Sequence, residues 1–350
     1  MALIAWLPLL VLSLLDGTVA NAGILFLKGI GAHVRLLLAL PLLIAAEGSV
    51  HERLGNTIRQ LAGRGVIPVD ELPKLNAIIR SIHRVRDSVL LELGLLVCVY
   101  TVGQWSWREY WAAGRTSWYA VTGGSGWHLT LAGWWYAFVS VPIFQFILLR
   151  WVLRLGLWFC FLWRLARLNL HLIPMHPDRA GGIGGLGTGT YAFGLFLFAE
   201  GTLLAGQIAQ RVLFEGHSLL AYKVDVFLVV ATLVAMVLSP LVVFMPLLIR
   251  AKQCGRNEYG ALAYRYVEEF DAKWVRDAAK TEERLIGSTD IQSLADMANS
   301  YSVVRSMRPV PFGWDLVTYL VAMTVAPLLP LTLTIVPLEK VIDYLIKGVL

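Results

Sequence analysis

Glu200 stands alone in an apolar run covering residues 191–210, flanked by Phe193, Phe196, Phe198, Leu203 and Leu204. A carboxylate in such a run is costly unless it is paired or protonated, so the chemistry open to it is that of an ion or proton pathway. A neutral Glu200 hydrogen-bonded across a helix interface would instead fasten two helices together. Steps of seven and eleven residues return a helix to nearly the same face. From Glu200 they land on Gln207 and Arg211, giving one polar stripe of pathway candidates. Gly194, Gly201 and Ala205 form an adjacent stripe of small residues, suited to close helix contact and to a homo-oligomer.

The second candidate is the stretch from His171 to Thr190, with His176, Pro177, Asp178 and Arg179 followed by Gly181, Gly182, Gly184, Gly185, Gly187 and Gly189. So many glycines let a backbone adopt positive φ and approach a ligand closely. Successive amides ahead of a helix can hold a phosphate or carboxylate, which would suit a lipid headgroup or an anion. The plainer alternative is a tight connection in which Asp178 bonds backbone amides and Arg179 pairs locally. No Gly-Lys-Ser/Thr ending and no preceding strand are present, which disfavours a phosphate-binding loop or a dinucleotide fold. His171, His176 and Asp178 could approach a metal, but no further partner is placed by spacing. No Gly-x-Ser-x-Gly, His-Glu-x-x-His or pair of facing carboxylates appears, so catalysis finds little support and no cofactor is indicated. The enzyme that could still be built here would act on lipid phosphates through His176, Asp178 and Arg179.

His-Pro-Asp-Arg-Ala-Gly-Gly after an arginine-rich helix, Asp290 to Asp296 (DIQSLAD) and Met307 to Phe312 (MRPVPF) together resemble a group of uncharacterised bacterial multi-pass inner-membrane proteins. The resemblance covers most of the chain. It implies a bacterial inner membrane and a shared architecture, and it carries no catalytic residue across.

The elements that must position these residues are membrane spans. Of 350 residues, 57% are hydrophobic and 15% charged, whereas a soluble domain devotes about 25% to charge. A span needs about 20 apolar residues. Seven candidates fit: 2–15, 34–47, 88–104, 131–149, 190–210, 226–249 and 314–336, the first two short enough to require extension into flanking residues, a tilt or a re-entrant pair. The N-terminus lacks a basic region and a small-residue cleavage site, so it is not read as a signal peptide. Loops 49–87, 150–180 and 251–312 carry 21 Lys and Arg against 8 in the alternate loops. That bias predicts a cytoplasmic N-terminus and an external C-terminal tail. Lys28 and Arg35 run against it.

Leu72, Leu75, Ile78, Ile79, Ile82 and Val85 recur at helical spacing opposite Lys74, Arg80, Arg84 and Arg86, making 49–87 a basic helical hairpin. Its second arm would lie on anionic lipid or pack on other loops. Residues 131–170 predict one long helix leaving the membrane near Arg150. In 251–312, Leu262, Tyr266, Phe270 and Trp274 mark a charged helix that needs a partner and ends at Gly287, and Ser288, Thr289 or Asp290 could cap a second helix through Asn299. Nine basic and nine acidic residues balance this segment, which argues against nucleic acid. Trp105, Trp107, Tyr110, Trp111, Trp118, Tyr119, Trp127, Trp134 and Trp135 predict an interfacial belt, with a cage for a cationic ligand as the sharper alternative. Three scattered cysteines, Cys98, Cys160 and Cys254, suggest neither disulfide nor zinc.

The chain thus reads as an all-α polytopic bundle of about seven spans: residues 1–250 as the bundle, 251–312 as a cytoplasmic helical segment, and 313–350 as the last span and tail. The function that accounts for most features is an ion or small-solute channel or transporter touching membrane lipids. A scaffold docking a cytoplasmic protein at 251–312, or a lipid-headgroup-binding protein, is the alternative.

Overall fold

Apolar runs of this length close their own backbone hydrogen bonds as helices, because hydrocarbon offers no substitute for water. The computed structural model describes residues 1–15, 26–107, 118–123, 126–276 and 288–334. In chain order, α1 (Ala2–Leu15), α2 (Ile30–Gly63), α3 (Leu72–Arg86) and α4 (Val89–Trp107) come first. A short hairpin of β1 (Ala120–Gly123) and β2 (Gly126–Leu129) follows, with Val121 opposite His128. Then come α5 (Leu131–Leu165), α6 (Gly185–Phe214), α7 (Leu219–Val242), α8 (Met245–Phe270), α9 (Thr289–Arg305) and α10 (Trp314–Thr334). Helices α2, α4, α5, α6, α7 and α10 are long and apolar enough to cross a membrane, so by length and composition this is a multi-pass membrane protein.

Two spans differ from the sequence expectation, and a third extends into its flanking residues, one of the alternatives open to it. The segment expected at 34–47 belongs to a continuous 34-residue helix, α2, about 51 Å long at 1.5 Å per residue. α1 has only 14 residues, about 21 Å, which falls short of a hydrocarbon core of about 30 Å. The span expected at 226–249 is divided between α7 and α8, with Pro246 in the first turn of α8. A proline there loses nothing, since first-turn amides have no intrahelical acceptor. α5 is the single long helix expected, 35 residues from Leu131 to Leu165.

Prolines inside the spans free carbonyls that side chains then satisfy. Pro142 leaves the Phe138 carbonyl, which accepts from the Tyr100 hydroxyl at 3.1 Å. Pro240 leaves that of Met236, which accepts from Ser239 Oγ at 3.1 Å. On the side of the basic loops, α3 packs along α5 rather than standing apart, with Arg164 Nη1 donating to Ser81 Oγ at 2.9 Å. α8 finds its partner in α9. Asp290 accepts there from Lys273 Nζ at 2.8 Å and Trp274 Nε1 at 2.9 Å, and Ser288 Oγ caps α9 by accepting from Asp290 N.

The aromatic group divides. Trp107, Trp118 and Tyr136 are buried in a cluster of ring contacts with Tyr119, including Trp118–Tyr136 at 5.0 Å. Trp105 and Trp134 face outwards as belt residues would. The inward rings gain more from one another than from headgroups, since each offers a partner of complementary quadrupole. Tyr110, Trp111, the Trp127 side chain, Gly287 and the tail 337–350 lie outside the described residues.

Candidate functional site

α6 is the central helix. Two thirds of its most apolar window is buried (67%), against 11% for α4. Its glycines explain how neighbours come so close. A Cβ at Gly194 would sit 2.7 Å from Tyr319 Cζ, and one at Gly201 would sit 2.9 Å from the Thr324 carbonyl carbon, both on α10. Gly206 meets Val34 of α2 in the same way. The small-residue stripe is therefore used inside the chain and supplies no argument for a homo-oligomer.

Glu200 lies near the middle of α6. Its Oε1 is buried without a hydrogen-bond partner, and the side chain has no ion pair among the described residues. A buried acceptor left unpaired forfeits its solvation. Gln207 and Arg211 are exposed, about 10 and 16 Å further along the helix axis. Arg211 stacks 5.7 Å from the Tyr222 ring centroid. The three share one face of α6, but only Glu200 is turned into protein.

One turn before Glu200, Phe196 stacks on Trp151 of α5, with centroids 4.7 Å apart and planes at 27°. The Trp151 indole donates to the Leu43 carbonyl of α2 at 3.2 Å. Just beyond, towards the basic loops, Glu47 of α2 bonds Arg150 at 3.2 Å and also Arg154 of α5. Arg154 in turn lies 5.5 Å from the Trp151 ring. Sequence reasoning missed Glu47. It ends an otherwise apolar run, and two arginines four residues apart on another helix were the signal for its partner. Glu71, 2% exposed, was missed too; its Oε1 accepts from Lys74 at 2.8 Å and Asn169 at 3.1 Å.

The glycine-rich loop folds around its own carboxylate. Asp178 Oδ1 accepts from Ala180 N at 2.8 Å and Gly182 N at 3.1 Å, Oδ2 accepts from Gly184 N at 2.9 Å, and His176 Nδ1 stands 2.8 Å away. Positive φ at Arg179 (57°), Gly181 (66°) and Gly182 (99°) is what turns these amides inward. Burial alone would raise the Asp178 carboxyl, but the three amides and His176 hold it below the usual carboxylate range. The Arg179 carbonyl accepts from Arg308 N at 2.7 Å, and Gly185 opens the first turn of α6. The structure thus brings together His176, Asp178, Gly182 and Gly184, with the amides of Gly182 and Gly184 engaged by Asp178. His171 N bonds the Val66 carbonyl, and no group of three or more His, Cys, Asp or Glu able to hold a metal occurs among the described residues.

No family model, curated protein or solved structure matches this chain.

Proposed function

We propose that this protein forms a transmembrane pathway for an ion, a proton or a small solute, and that Glu200 is the group that meets the permeant species. The observation that carries the reading is the buried, unpartnered Glu200 Oε1 at the centre of the most enclosed span. An acidic group in hydrocarbon without a partner is a functional site by default. The Trp151–Phe196 stack is the barrier on one side of it, and Glu47 with Arg150 and Arg154 the charged vestibule beyond. The charge bias of the loops supports placing the vestibule and the 176–185 loop at the cytoplasmic mouth, and a bacterial inner membrane is what the resemblance implies. A second copy of the chain would cover Gln207, which is exposed within an apolar span.

The test is flux of protons, Na⁺, K⁺ and Cl⁻ in proteoliposomes, comparing wild type with Glu200→Gln. Flux in the wild type that is abolished in an equally folded Glu200→Gln variant is the expected result. No wild-type flux across that panel and a range of potentials overturns the reading. The scaffold alternative draws on Leu262, Tyr264, Val267 and Ile291, which are exposed on the α8–α9 pair at 43%, 69%, 50% and 45%. It predicts that Glu200→Gln is silent while deletion of α8–α9 removes function.

A further inference from the structure

α2, α3 and α5 enclose a partly open cavity of about 480 Å³ on the side of the basic loops. That volume falls in the range of small-molecule sites, about 300–1,000 Å³. Its wall has two chemistries. Leu54, Ile58, Ile79, Ile82, Leu157 and Phe161 form an apolar body, while Arg154, Arg86, His51 and His83 stand with Glu47 at the polar part. The charges do not cancel. Glu47 is shared by Arg150 and Arg154, and Arg86 pairs with Asp87, leaving three guanidiniums against two carboxylates.

A further observation indicates that the space is kept for an occupant. Gly48 and Gly55 lie seven residues apart on one face of α2, and both line the cavity. A Cβ built on either meets nothing within 4 Å. Neither has a positive φ, so neither a turn nor a close helix contact requires glycine there. Glycine is disfavoured in a helix interior relative to alanine, and at these two positions its effect is to leave the cavity open. Trp158 also lines the cavity; it is 5% exposed, with its indole N–H shielded from the open space.

We infer that this cavity binds an anionic amphiphile, with a phosphate or carboxylate head at Arg154 and Arg86 and an apolar chain along Ile58, Ile82 and Phe161. A guanidinium suits such a head because it offers several donors in a fixed fork, and both Arg154 and Arg86 line the cavity. A mouth serving only water and inorganic ions would have no use for the apolar body. This assignment is independent of the Glu200 pathway, and its test reads binding rather than flux.

Full-length protein in a neutral maltoside detergent is titrated with phosphatidylglycerol, phosphatidylcholine, octyl phosphate and inorganic phosphate. Bound molecules are counted by native mass spectrometry, and the unfolding temperature is followed in parallel. The expected result is one site that takes phosphatidylglycerol or octyl phosphate in preference to phosphatidylcholine, with inorganic phosphate bound weakly. Preference for phosphatidylglycerol identifies the bilayer as the source, and preference for octyl phosphate identifies the aqueous phase; both support the assignment. Gly55→Leu, or Gly48→Leu where the first variant does not fold, fills the cavity and weakens binding about tenfold or more. Gly156→Leu is the control, since its Cβ also meets nothing within 4 Å but it lies outside the cavity. Arg86→Gln reduces the preference for the anionic probe. Equal binding of phosphatidylglycerol and phosphatidylcholine, binding of inorganic phosphate as tight as octyl phosphate, or full binding in the folded Gly55→Leu or Gly48→Leu protein overturns it.

Discussion

Gly201→Ala puts one methyl group where α6 crosses α10. The added Cβ would lie 2.9 Å from the Thr324 carbonyl carbon and 3.3 Å from its Cα, and closer still to its oxygen. Ordinary van der Waals contact begins at 3.4 Å, so the two helices must separate by about 1 Å. The obstacle is backbone, which cannot move aside by changing rotamer. The displacement also opens the neighbouring contact of Gly194 with Tyr319. Overpacking of this kind costs about 1–3 kcal/mol, partly offset by about 1 kcal/mol from replacing a helical glycine. Gly156→Ala on α5 isolates the second contribution, because its Cβ meets nothing within 4 Å. The expected outcome is Gly201→Ala less stable than Gly156→Ala by about 1–3 kcal/mol, measured by equilibrium unfolding in mixed micelles. Equal stability of the two variants would refute the claim that α6 and α10 are held in backbone contact.

Substitutions at three other positions probe the surroundings of Glu200 and the loop ahead of α6. Asp178→Ala leaves three amides without their acceptor and should destabilise by about 1–3 kcal/mol. Because the Asp178 carboxyl is held low in the folded protein, its contribution is complete above the ordinary value near 4 and is lost as pH falls through the lower folded value. Asp178→Asn should therefore flatten the acid limb of a stability-against-pH curve, and an unchanged limb would contradict this. Glu47→Gln removes the carboxylate from between Arg150 and Arg154 and should cost about 1–3 kcal/mol in chemical unfolding, the site being only partly buried. Trp151→Ala deletes a ring that is 1% exposed, at about 3–5 kcal/mol. If the Trp151–Phe196 stack is the barrier to Glu200, flux at low temperature should rise in the variant that remains folded; lower or equal flux would remove the barrier role.

Much of this arrangement was legible because it is periodic. Hydrophobic runs and turn residues act within a few positions of the chain, so α4, α5, α6 and α10 could be located and the cap of α9 narrowed to Ser288, Thr289 or Asp290, of which the structure selects Ser288. The polar stripe on α6 followed from helix geometry alone, and so did the small-residue stripe beside it. What the stripe of glycines touches could not follow, since nothing local names Tyr319 or Thr324 as the neighbours. Glu47 was overlooked for the same reason: a carboxylate at the end of a run looks interfacial until Arg150 and Arg154 are found against it, more than 100 residues away.

Composition and spacing by themselves determined that the chain carries helices long and apolar enough to cross a membrane, about where most of them run, and that an acid sits near the middle of one of them. These depend on transfer free energy and on 3.6 residues per turn, both properties of a segment alone. Only the tertiary structure decided that Glu200 keeps a buried oxygen without a partner, that Asp178 fills its own loop, and that Gly48 and Gly55 leave a cavity open. Those outcomes depend on which helix faces which, and that is set by packing across the bundle, where each contact joins residues the sequence does not bring together.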